Sequence, residues 1–373
     1  MPWRAVSVMS LRQEFIKLLH AESLNFSELC RRYGISRKTG YKWAERYKQG
    51  GIAGLEDASR RPRTIVRHMD QNTEEKIVEL RTKHSWGSRK IRRRLQVLDF
   101  TPVPACSTIT RALHRHNLVD PERPGNKKWQ RFEQPAPNCL WQMDFKAPVP
   151  TLAGVAHPLT VLDDHSRFNI CLRALPNQKT REVQETLTEA FARYGLPDTI
   201  LVDNGSPWGN NREYPHTALT VWLMRLNVGV IHSRPYHPQT LGKDERFHRT
   251  LKEELIRRNQ WRDLVHLQRS FDPWRHTYNF ERPHDALGLD VPADRYRPSL
   301  RSFPDTLPQI DYPTGVSVRK IDDKGKVCFL SKRFRIGKAF RGYPVGLRPT
   351  DTDGLYDVLF CHHVIKYIDL RND

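Results

Sequence analysis

LWQMDFKA at residues 140–147 and TILVDNG at residues 199–205 are the two stretches that decide the fold of this 373-residue chain. The first alternates like a β-strand, and the second is a short apolar strand that stops at an Asp-Asn-Gly turn. Between them, residues 158–175 read as two strands joined near Asp164, which predicts a hairpin, and residues 180–194 read as a helix.

The chain continues with the same alternation of helices and strands. A helix is predicted at 216–227, then the strand VGVIHS at 228–233, and then a loop that leads into a long helix. Three antiparallel strands followed by alternating helices and strands is the chain order of a ribonuclease-H-like sheet. The sequence therefore predicts an α/β core over residues 139–300.

Three acidic residues fall at the ends of these predicted elements. Asp144 lies in the first strand, Asp203 ends the fourth strand, and Glu245 lies on the long helix. A carboxylate in an apolar strand is costly unless it is paired or binds a cation. Carboxylates on adjacent strands repel each other, and a divalent cation relieves that repulsion. Three hard oxygen ligands suit Mg²⁺ or Mn²⁺ in a two-metal phosphoryl transfer. Taken alone, Asp144 and Asp203 are better read as turn or surface residues than as catalytic ones.

Four longer motifs carry a resemblance to a known family. They are WQMDF at 141–145, DNGS at 203–206, PYHPQTLGKDERFHRTLK at 235–252 and YNFERPHDAL at 278–287. With these motifs the chain resembles the DDE transposase and integrase superfamily. It is most similar to single-frame bacterial insertion-sequence transposases with a retroviral-integrase-like core. The motif at 235–252 is the most specific of the four, whereas DNGS alone is weak.

The resemblance implies a catalytic site and a reaction. The metal-ligating and catalytic residues of the family carry over to Asp144, Asp203 and Glu245, and the expected cofactors are two Mg²⁺ or Mn²⁺ ions per active site. The expected enzyme is a DDE-type polynucleotidyl transferase that cleaves the 3′ ends of a mobile element and joins them to target DNA. Its partners would be double-stranded DNA, as terminal inverted repeats and target, and further copies of itself. At least a dimer is expected, because each active site handles one DNA end.

Three features depart from the family pattern. The 41 residues between Asp203 and Glu245 exceed the usual number, and the extra length fits in the polar loop at 206–216. Asp244 stands where the family usually has an apolar residue, so two carboxylates are adjacent. Because consecutive helical residues point about 100° apart, both cannot be ligands in the same way, and the ERF register favours Glu245. Leu241 replaces a usually polar loop residue.

Further DNA contacts are predicted beside the carboxylates. Arg249 and Lys252 follow Glu245 by four and seven residues, on the same helix face. In related integrases basic residues at those offsets touch the donor DNA end, although a salt-bridged surface is the alternative. Tyr236 and His237 are expected to line the site, and Asp163 and Asp164 are expected to shape the hairpin rather than bind metal.

Positive charge is concentrated in the N-terminal third. The chain has 62 basic and 42 acidic residues, a formal net charge of +20. Residues 1–135 hold 28 basic and 14 acidic residues, against 22 and 20 in residues 136–310. Such an excess indicates a polyanion partner, most naturally nucleic acid. A solubilising basic surface is the alternative.

Residues 1–56 predict a helix-turn-helix domain. Helices are expected at 10–21, then after Ser27, and then after Ser36, with a Gly-containing turn at Gly34. A helical hairpin without a nucleic-acid role is the alternative. The start of the third helix would meet base edges and phosphates, which predicts these DNA contacts: Arg37, Lys38, Thr39, Tyr41 and Lys42.

A basic linker at 57–67 and a second helix-turn-helix domain at 68–119 follow. The linker is read either as an arm for a narrow minor groove or as a solvated segment that touches only phosphates. In the second domain, helices are expected at 73–83, capped by Thr73, and then after Ser88 and Ser107. The predicted DNA contacts are Arg60, Arg61 and Arg63 in the linker, and Arg89, Lys90, Thr108, Thr110 and Arg111 in the domain.

The rest of the chain is divided by composition. Residues 120–138 are rich in proline and charge and are predicted to be a linker, and residues 312–373 alternate strongly, which predicts a small all-β domain, barrel-like or a sheet. Its basic strand pair is expected either to hold DNA or a neighbouring subunit, or to be a structural cap.

Several classes of protein are excluded by composition. No stretch approaches 18 uncharged apolar residues, and no secretory leader is evident at residue 1, so a cytoplasmic protein without a membrane partner is expected. The six cysteines are far apart, which fits a reducing compartment. Two rival functions remain, namely a former transposase that only regulates by binding DNA, and a nuclease that cuts RNA in hybrids.

Overall fold

A computed structural model describes most of the chain. It divides into two compact units, Met1–His68 and Met69–Asp373. The residues described are 7–21, 25–57, 69–119, 133–209, 215–233 and 242–371. All of the predicted linker 57–67 except its first residue, and residues 120–132 of the predicted linker 120–138, therefore lie outside the described residues.

The first unit contains three helices and a short 3₁₀ turn at Gly51–Leu55. The helices are α1 (Val8–His20), α2 (Phe26–Arg32) and α3 (Arg37–Gly50). Ser36 caps α3 as predicted, because its hydroxyl accepts the Thr39 amide. The prediction for α2 was wrong: Asn25 is the cap, and its side chain accepts the Ser27 amide. The apolar faces meet in a buried core with these members: Phe15, Ile16, Leu29, Cys30, Trp43 and Leu55.

A second three-helix bundle opens the larger unit. It consists of α4 (Gln71–His84), α5 (Ser88–Val97) and α6 (Cys106–Arg115). The cap predicted at Thr73 lies at Asp70 instead, since the Asp70 carboxylate accepts both the amide and the hydroxyl of Thr73. The Asp70 carboxylate thus satisfies two hydrogen-bond donors at the start of α4, as a helix N-cap does. The buried core of this bundle comprises Ile77, Leu80, Trp86, Ile91, Leu95, Ile109 and Leu113.

The central sheet has the predicted ribonuclease-H-like order, β4-β3-β1-β5-β6. Strands β4, β3 and β1 are antiparallel, and β1, β5 and β6 are parallel. The short strand β2, which the sequence did not predict, pairs with the outer end of β3. The strands are β1 (Leu140–Phe145), β2 (Val149–Thr151), β3 (Gly154–Asp163), β4 (Asn169–Leu175), β5 (Thr199–Val202) and β6 (Gly229–His232).

Helices cover both faces of this sheet. One buried cluster joins the sheet to α7 and α8, and a second cluster joins it to α9 and α10. Helix α10 was not predicted, although its apolar residues recur at helical spacing. The helices are α7 (Thr180–Tyr194), α8 (Ala218–Arg225), α9 (Gly242–Glu254), α10 (Leu264–Phe280) and the short α11 (Pro292–Arg295).

The C-terminal region is all-β, as predicted. Four antiparallel strands form a sheet in the order β12-β11-β10-β7, and β8 pairs with β9 as a separate hairpin. Its core also receives Val221 and Met224 from α8. In the described part of the chain, no helix is long and apolar enough to cross a membrane. The strands are β7 (Ser317–Lys320), β8 (Lys326–Phe329), β9 (Lys332–Arg335), β10 (Pro344–Pro349), β11 (Leu355–Phe360) and β12 (His363–Asp369).

Candidate active site

The register of β1 and β5 places two of the predicted carboxylates side by side. These parallel strands pair Leu140 with Thr199 and Gln142 with Leu201. Continued by two residues, the same register brings Asp144 level with Asp203. Both lie at the carboxyl ends of adjacent strands, the edge where α/β sheets bind ligands.

The orientation of the Asp203 side chain is set by the turn that follows β5. Its Oδ1 accepts the Gly205 amide at 2.8 Å and also the indole Nε1–H of Trp208. Trp208 is buried and stacks on Phe145, with ring centroids 5.2 Å apart. The carboxylate is therefore held against the end of β1 by a rigid aromatic pair.

Asp144 has an environment that disfavours negative charge. Its side chain is 25% exposed, and its Oδ1 accepts the Phe145 amide at 2.8 Å. Burial, the charge of Asp203 and, least of the three, the charge of Glu245 together raise its pKa to about 6. Both other predicted carboxylates thus act on Asp144, and a cation between them would relieve the repulsion.

Helix α9 presents its two adjacent acidic residues in different directions. Phe247 and Leu251 anchor the helix in the core, where the Phe247 ring packs edge-on against Trp274 and Tyr278. Asp244, three residues before Phe247, shares this inward face and is fully buried. Glu245 is exposed.

Asp244 is enclosed and only partly satisfied. Its Oδ1 lies 3.3 Å from the Thr160 hydroxyl, and its Oδ2 has no hydrogen-bond partner. Burial, followed by the charge of Asp144, raises the pKa of Asp244 well above its usual value. The residue that breaks the family pattern therefore lies under the site.

The donor set suits a hard divalent cation. Among the described residues, none of Asp144, Asp203 and Glu245 has a lysine or arginine partner, so no described basic side chain offsets their charge. Carboxylate oxygens are preferred ligands of Mg²⁺ and Mn²⁺. Within the same residues, no three His, Cys, Asp or Glu side chains are close enough to ligate one ion. The carboxylates would have to approach one another further to hold a cation.

The residues predicted around the carboxylates fall into two groups. Arg249 and Lys252 are exposed on α9, beyond Glu245. Tyr236 and His237 lie outside the described residues, as does Leu241.

Asp163 and Asp164 shape the β3–β4 hairpin, as predicted. Both are fully buried. Asp163 accepts the amide and the hydroxyl of Ser166, and Asp164 accepts an amide proton of Gln142 at 2.8 Å. Lys243 at the start of α9 forms an ion pair with Asp164, so the hairpin also fixes the helix.

The predicted contacts of the first unit are mostly open to solvent. Arg37, Lys38, Tyr41 and Lys42 are exposed at the start of α3, and Thr39 is half-buried because its hydroxyl bonds to Ser36. The linker residues Arg60, Arg61 and Arg63 lie outside the described residues.

The predicted contacts of the second bundle differ from one helix to the other. On α5, Arg89 is exposed and Lys90 is half-buried, and both pair with Asp285 of the core, at 3.2 and 3.9 Å. Burial lowers the pKa of Lys90 to about 8. On α6, Arg111 is exposed, whereas Thr108 and Thr110 are half-buried, and the Thr110 hydroxyl donates to the Cys106 carbonyl. DNA binding by these residues stays a prediction.

Sequence reasoning missed Thr160 and His248. Thr160 lies in the middle of β3, and its side chain is fully buried beside Asp144 and α9. His248 lies one turn after Asp244, and burial, followed by the charge of Lys146, lowers its pKa to about 3. The i, i+4 spacing of Asp244 and His248 was the available signal, but their partner on β3 depends on the sheet register.

Comparisons with known proteins agree with the fold. Models described as integrase core domain match residues 134–238 and 226–292. Residues 134–292 are therefore similar to an integrase core. A model of the IS481 family transposase C-terminal domain matches residues 316–373, a helix-turn-helix model matches 11–63, and a homeodomain-like model matches 39–113. The predicted resemblance to transposases and integrases, the helix-turn-helix domains and the fold class are confirmed.

Two of the relatives with similar sequences are proteins of insertion elements. The chain is 25% identical over 172 residues to the Insertion element IS476 uncharacterized 39.2 kDa protein of Xanthomonas euvesicatoria, covering 46% of this chain and 48% of the relative. It is 24% identical over 159 residues to the Insertion element IS407 uncharacterized 31.7 kDa protein of Burkholderia multivorans, covering 43% and 55%. The chain therefore spans about half the length of these curated relatives.

Among solved structures, the HTLV-2 integrase catalytic core domain in complex with magnesium aligns with a TM-score of 0.34 at 14% identity. The alignment covers 44% of this chain and 99% of that domain.

Proposed function

We propose that this integrase-core protein is a DNA transposase that joins the 3′ ends of an insertion sequence to target DNA. One observation carries the proposal: Asp144 and Asp203 lie level on adjacent parallel strands, and Glu245 on α9 is close enough for its charge to act on Asp144. The IS481 transposase match at residues 316–373 supports the same reading.

The proposed chemistry is two in-line displacements at phosphorus. In the first, water attacks the phosphodiester at the element's end and the 3′ oxygen leaves as a hydroxyl. In the second, that hydroxyl attacks a target phosphodiester, whose own 3′ oxygen leaves. Two Mg²⁺ or Mn²⁺ ions, held by Asp144, Asp203 and Glu245, would activate the attacking oxygen and stabilise the leaving one.

The remaining residues bind and orient DNA. Arg249 and Lys252 extend from the helix that supplies Glu245 and would hold donor phosphates, with Tyr236 beside them. The helix-turn-helix domains would bind the terminal inverted repeats, because the N-terminal third carries the excess of positive charge. At least two copies would act together, one for each DNA end, on DNA in the bacterial cytosol.

Strand transfer by carboxylate variants tests the proposal. The full-length protein, duplexes carrying the element's terminal repeats, and Mg²⁺ or Mn²⁺ are mixed with target DNA. Asp144→Asn, Asp203→Asn and Glu245→Gln are each expected to abolish strand transfer and to leave gel-shift affinity for repeat DNA nearly unchanged. A matched control is Glu185→Gln, which neutralises an exposed carboxylate on α7 that pairs with Arg181.

Three outcomes would contradict the proposal. Binding of repeat DNA without metal-dependent nicking by the wild-type protein would point to a DNA-binding regulator. Cutting of RNA in hybrids in preference to repeat DNA would point to a nuclease. Strand transfer by Glu245→Gln, with loss in Asp244→Asn, would show that the buried residue is the ligand.

A further inference from the structure

The buried hydroxyl of Thr160 connects the strand that carries Asp144 to the helix that carries Glu245. Thr160 lies directly opposite Asp144 in the β1–β3 register. Its Oγ1 lies 3.0 Å from the Asp144 carbonyl oxygen, 2.8 Å from His248 Nε2 and 3.3 Å from Asp244 Oδ1. A single side chain thus contacts both elements that bring the carboxylates together.

Proton counting assigns the direction of these bonds. A threonine hydroxyl has one proton to donate and two lone pairs to accept with. The Asp144 carbonyl can only accept, and it lies nearer than Asp244 Oδ1, so the hydroxyl proton is assigned to it. His248 then donates its Nε2 proton to Thr160, and the longer Asp244 contact is the weakest of the three. The main link therefore runs from His248 through Thr160 to the backbone of Asp144.

The two α9 partners bracket the predicted metal ligand of that helix. Asp244 immediately precedes Glu245, and His248 follows it by three residues. A bond to each of them fixes both the rotation and the height of this helical turn above β1. These three contacts are buried or partly buried, which limits competition from water for the Thr160 hydroxyl.

We infer that Thr160 is a positioning residue of the active site, which acts by setting the distance between Asp144 on β1 and Glu245 on α9. The inference rests on the proposed function for its reaction, but its geometry is independent of it. Valine has nearly the shape of threonine and packs equally well in an apolar interior. A residue with only a packing role would therefore tolerate valine, whereas a positioning role requires the hydroxyl.

Thr160→Val and Thr160→Ser separate these roles in the full-length protein. Thr160→Val is expected to lower strand transfer on pre-cleaved ends by about 10- to 100-fold, the effect of a small misplacement of reacting groups, and Thr160→Ser to restore most of it. The control is Thr186→Val on α7, a buried threonine whose hydroxyl bonds only to the Glu182 carbonyl of its own helix. That variant should retain wild-type strand transfer.

Binding of Mn²⁺ to the protein without DNA gives a second readout. Titration followed by electron paramagnetic resonance should show weaker binding by Thr160→Val than by wild type and Thr160→Ser. This measurement still decides the inference if wild-type protein proves unable to transfer strands, which would overturn the proposed function alone. Thermal denaturation checks that each variant is folded.

A second pair of variants covers the case in which Thr160→Val does not fold. His248→Gln keeps a side-chain N–H near the Nε2 position, and His248→Leu removes it. Retained Mn²⁺ binding in the first with weaker binding in the second supports the link. Wild-type Mn²⁺ binding in Thr160→Val or in His248→Leu overturns the inference, and so does equal impairment of Thr160→Val and Thr160→Ser.

Discussion

Removing the acidic partners of α5 should weaken the docking of the second helical bundle on the core, although Arg258 also bonds to the end of α4. Four basic residues of this helix pair with acidic residues in the segment from residue 281 to 290 of the core. Two of the four are predicted DNA contacts. The pairs are Arg89–Asp285 at 3.2 Å, Lys90–Asp285 at 3.9 Å, Arg93–Asp290 at 3.3 Å and Arg94–Glu281 at 2.6 Å.

The strength of this docking follows from the exposure of the pairs. Glu281 is 34% exposed, Asp285 39% and Asp290 49%, so water screens all three. Partly exposed ion pairs contribute about 0.2–1 kcal/mol each, which gives roughly 2 kcal/mol for the four together. Since about 1.4 kcal/mol is a factor of ten, neutralising the acidic side should shift the docking equilibrium by about 30-fold.

DNA affinity measures that shift. If Arg89 and Lys90 contact DNA, phosphates compete with Asp285 for them, so the triple variant Glu281→Gln, Asp285→Asn, Asp290→Asn should bind repeat DNA up to about 30-fold more tightly in low salt. Neutralising three carboxylates also removes general repulsion between the protein and DNA. A control variant with the same charge change at exposed sites corrects for this effect: Glu185→Gln, Glu189→Gln, Asp272→Asn. If the triple variant and this control bind repeat DNA with equal affinity, DNA phosphates do not compete with Asp285 for Arg89 and Lys90.

The remaining predictions concern other surfaces. Arg249→Ala and Lys252→Ala should each slow single-turnover strand transfer on pre-cleaved ends by up to about 100-fold with almost unchanged gel-shift affinity, and wild-type rates would place both on a solvated face. Arg37→Ala with Lys38→Ala should reduce the slope of log affinity against log salt by about 0.9 per lost phosphate contact, and an unchanged slope would remove them from the interface. Burial lowers the pKa of His84 from 6.5 to about 4. Between these two pH values the unfolded chain binds a proton at His84 that the folded chain does not bind. The free energy of unfolding is therefore unaffected by His84 above pH 6.5 and decreases as the pH falls towards 4. His84→Phe should therefore weaken the loss of stability between neutral pH and pH 5 in urea denaturation, and an identical loss would contradict this.

The sheet was predictable because its signals are local. The predicted strands of the core either alternate in polarity or are short apolar runs that end at turn residues, and these patterns indicate both the order and the type of the elements. Helix α10 was missed although Leu267, Phe271, Trp274 and Tyr278 recur at helical spacing. Pro273 lies inside this helix, and proline in a sequence usually signals a helix end.

Partners across the fold were not predictable from charge. The pattern on α5 gives the sign of its surface, but a basic residue pairs as readily with Asp285 as with a phosphate. Similarly, Thr73 and Asp70 are both good caps, and the choice depends on which oxygen reaches two donors at once. Both choices depend on distances between side chains in the folded protein, which the local sequence does not determine.

The adjacent carboxylates of α9 show how a short pattern does encode direction. Asp244, Phe247 and Leu251 are separated by three and four residues, so they share one helix face. The two apolar members must be buried, and they turn Asp244 inward with them. Glu245, about 100° further round, is then left exposed, where DNA phosphates and cations would approach in the proposed reaction. The family register and the burial pattern thus both favour Glu245 as the proposed ligand, and Asp244 packs against Thr160 beneath the site.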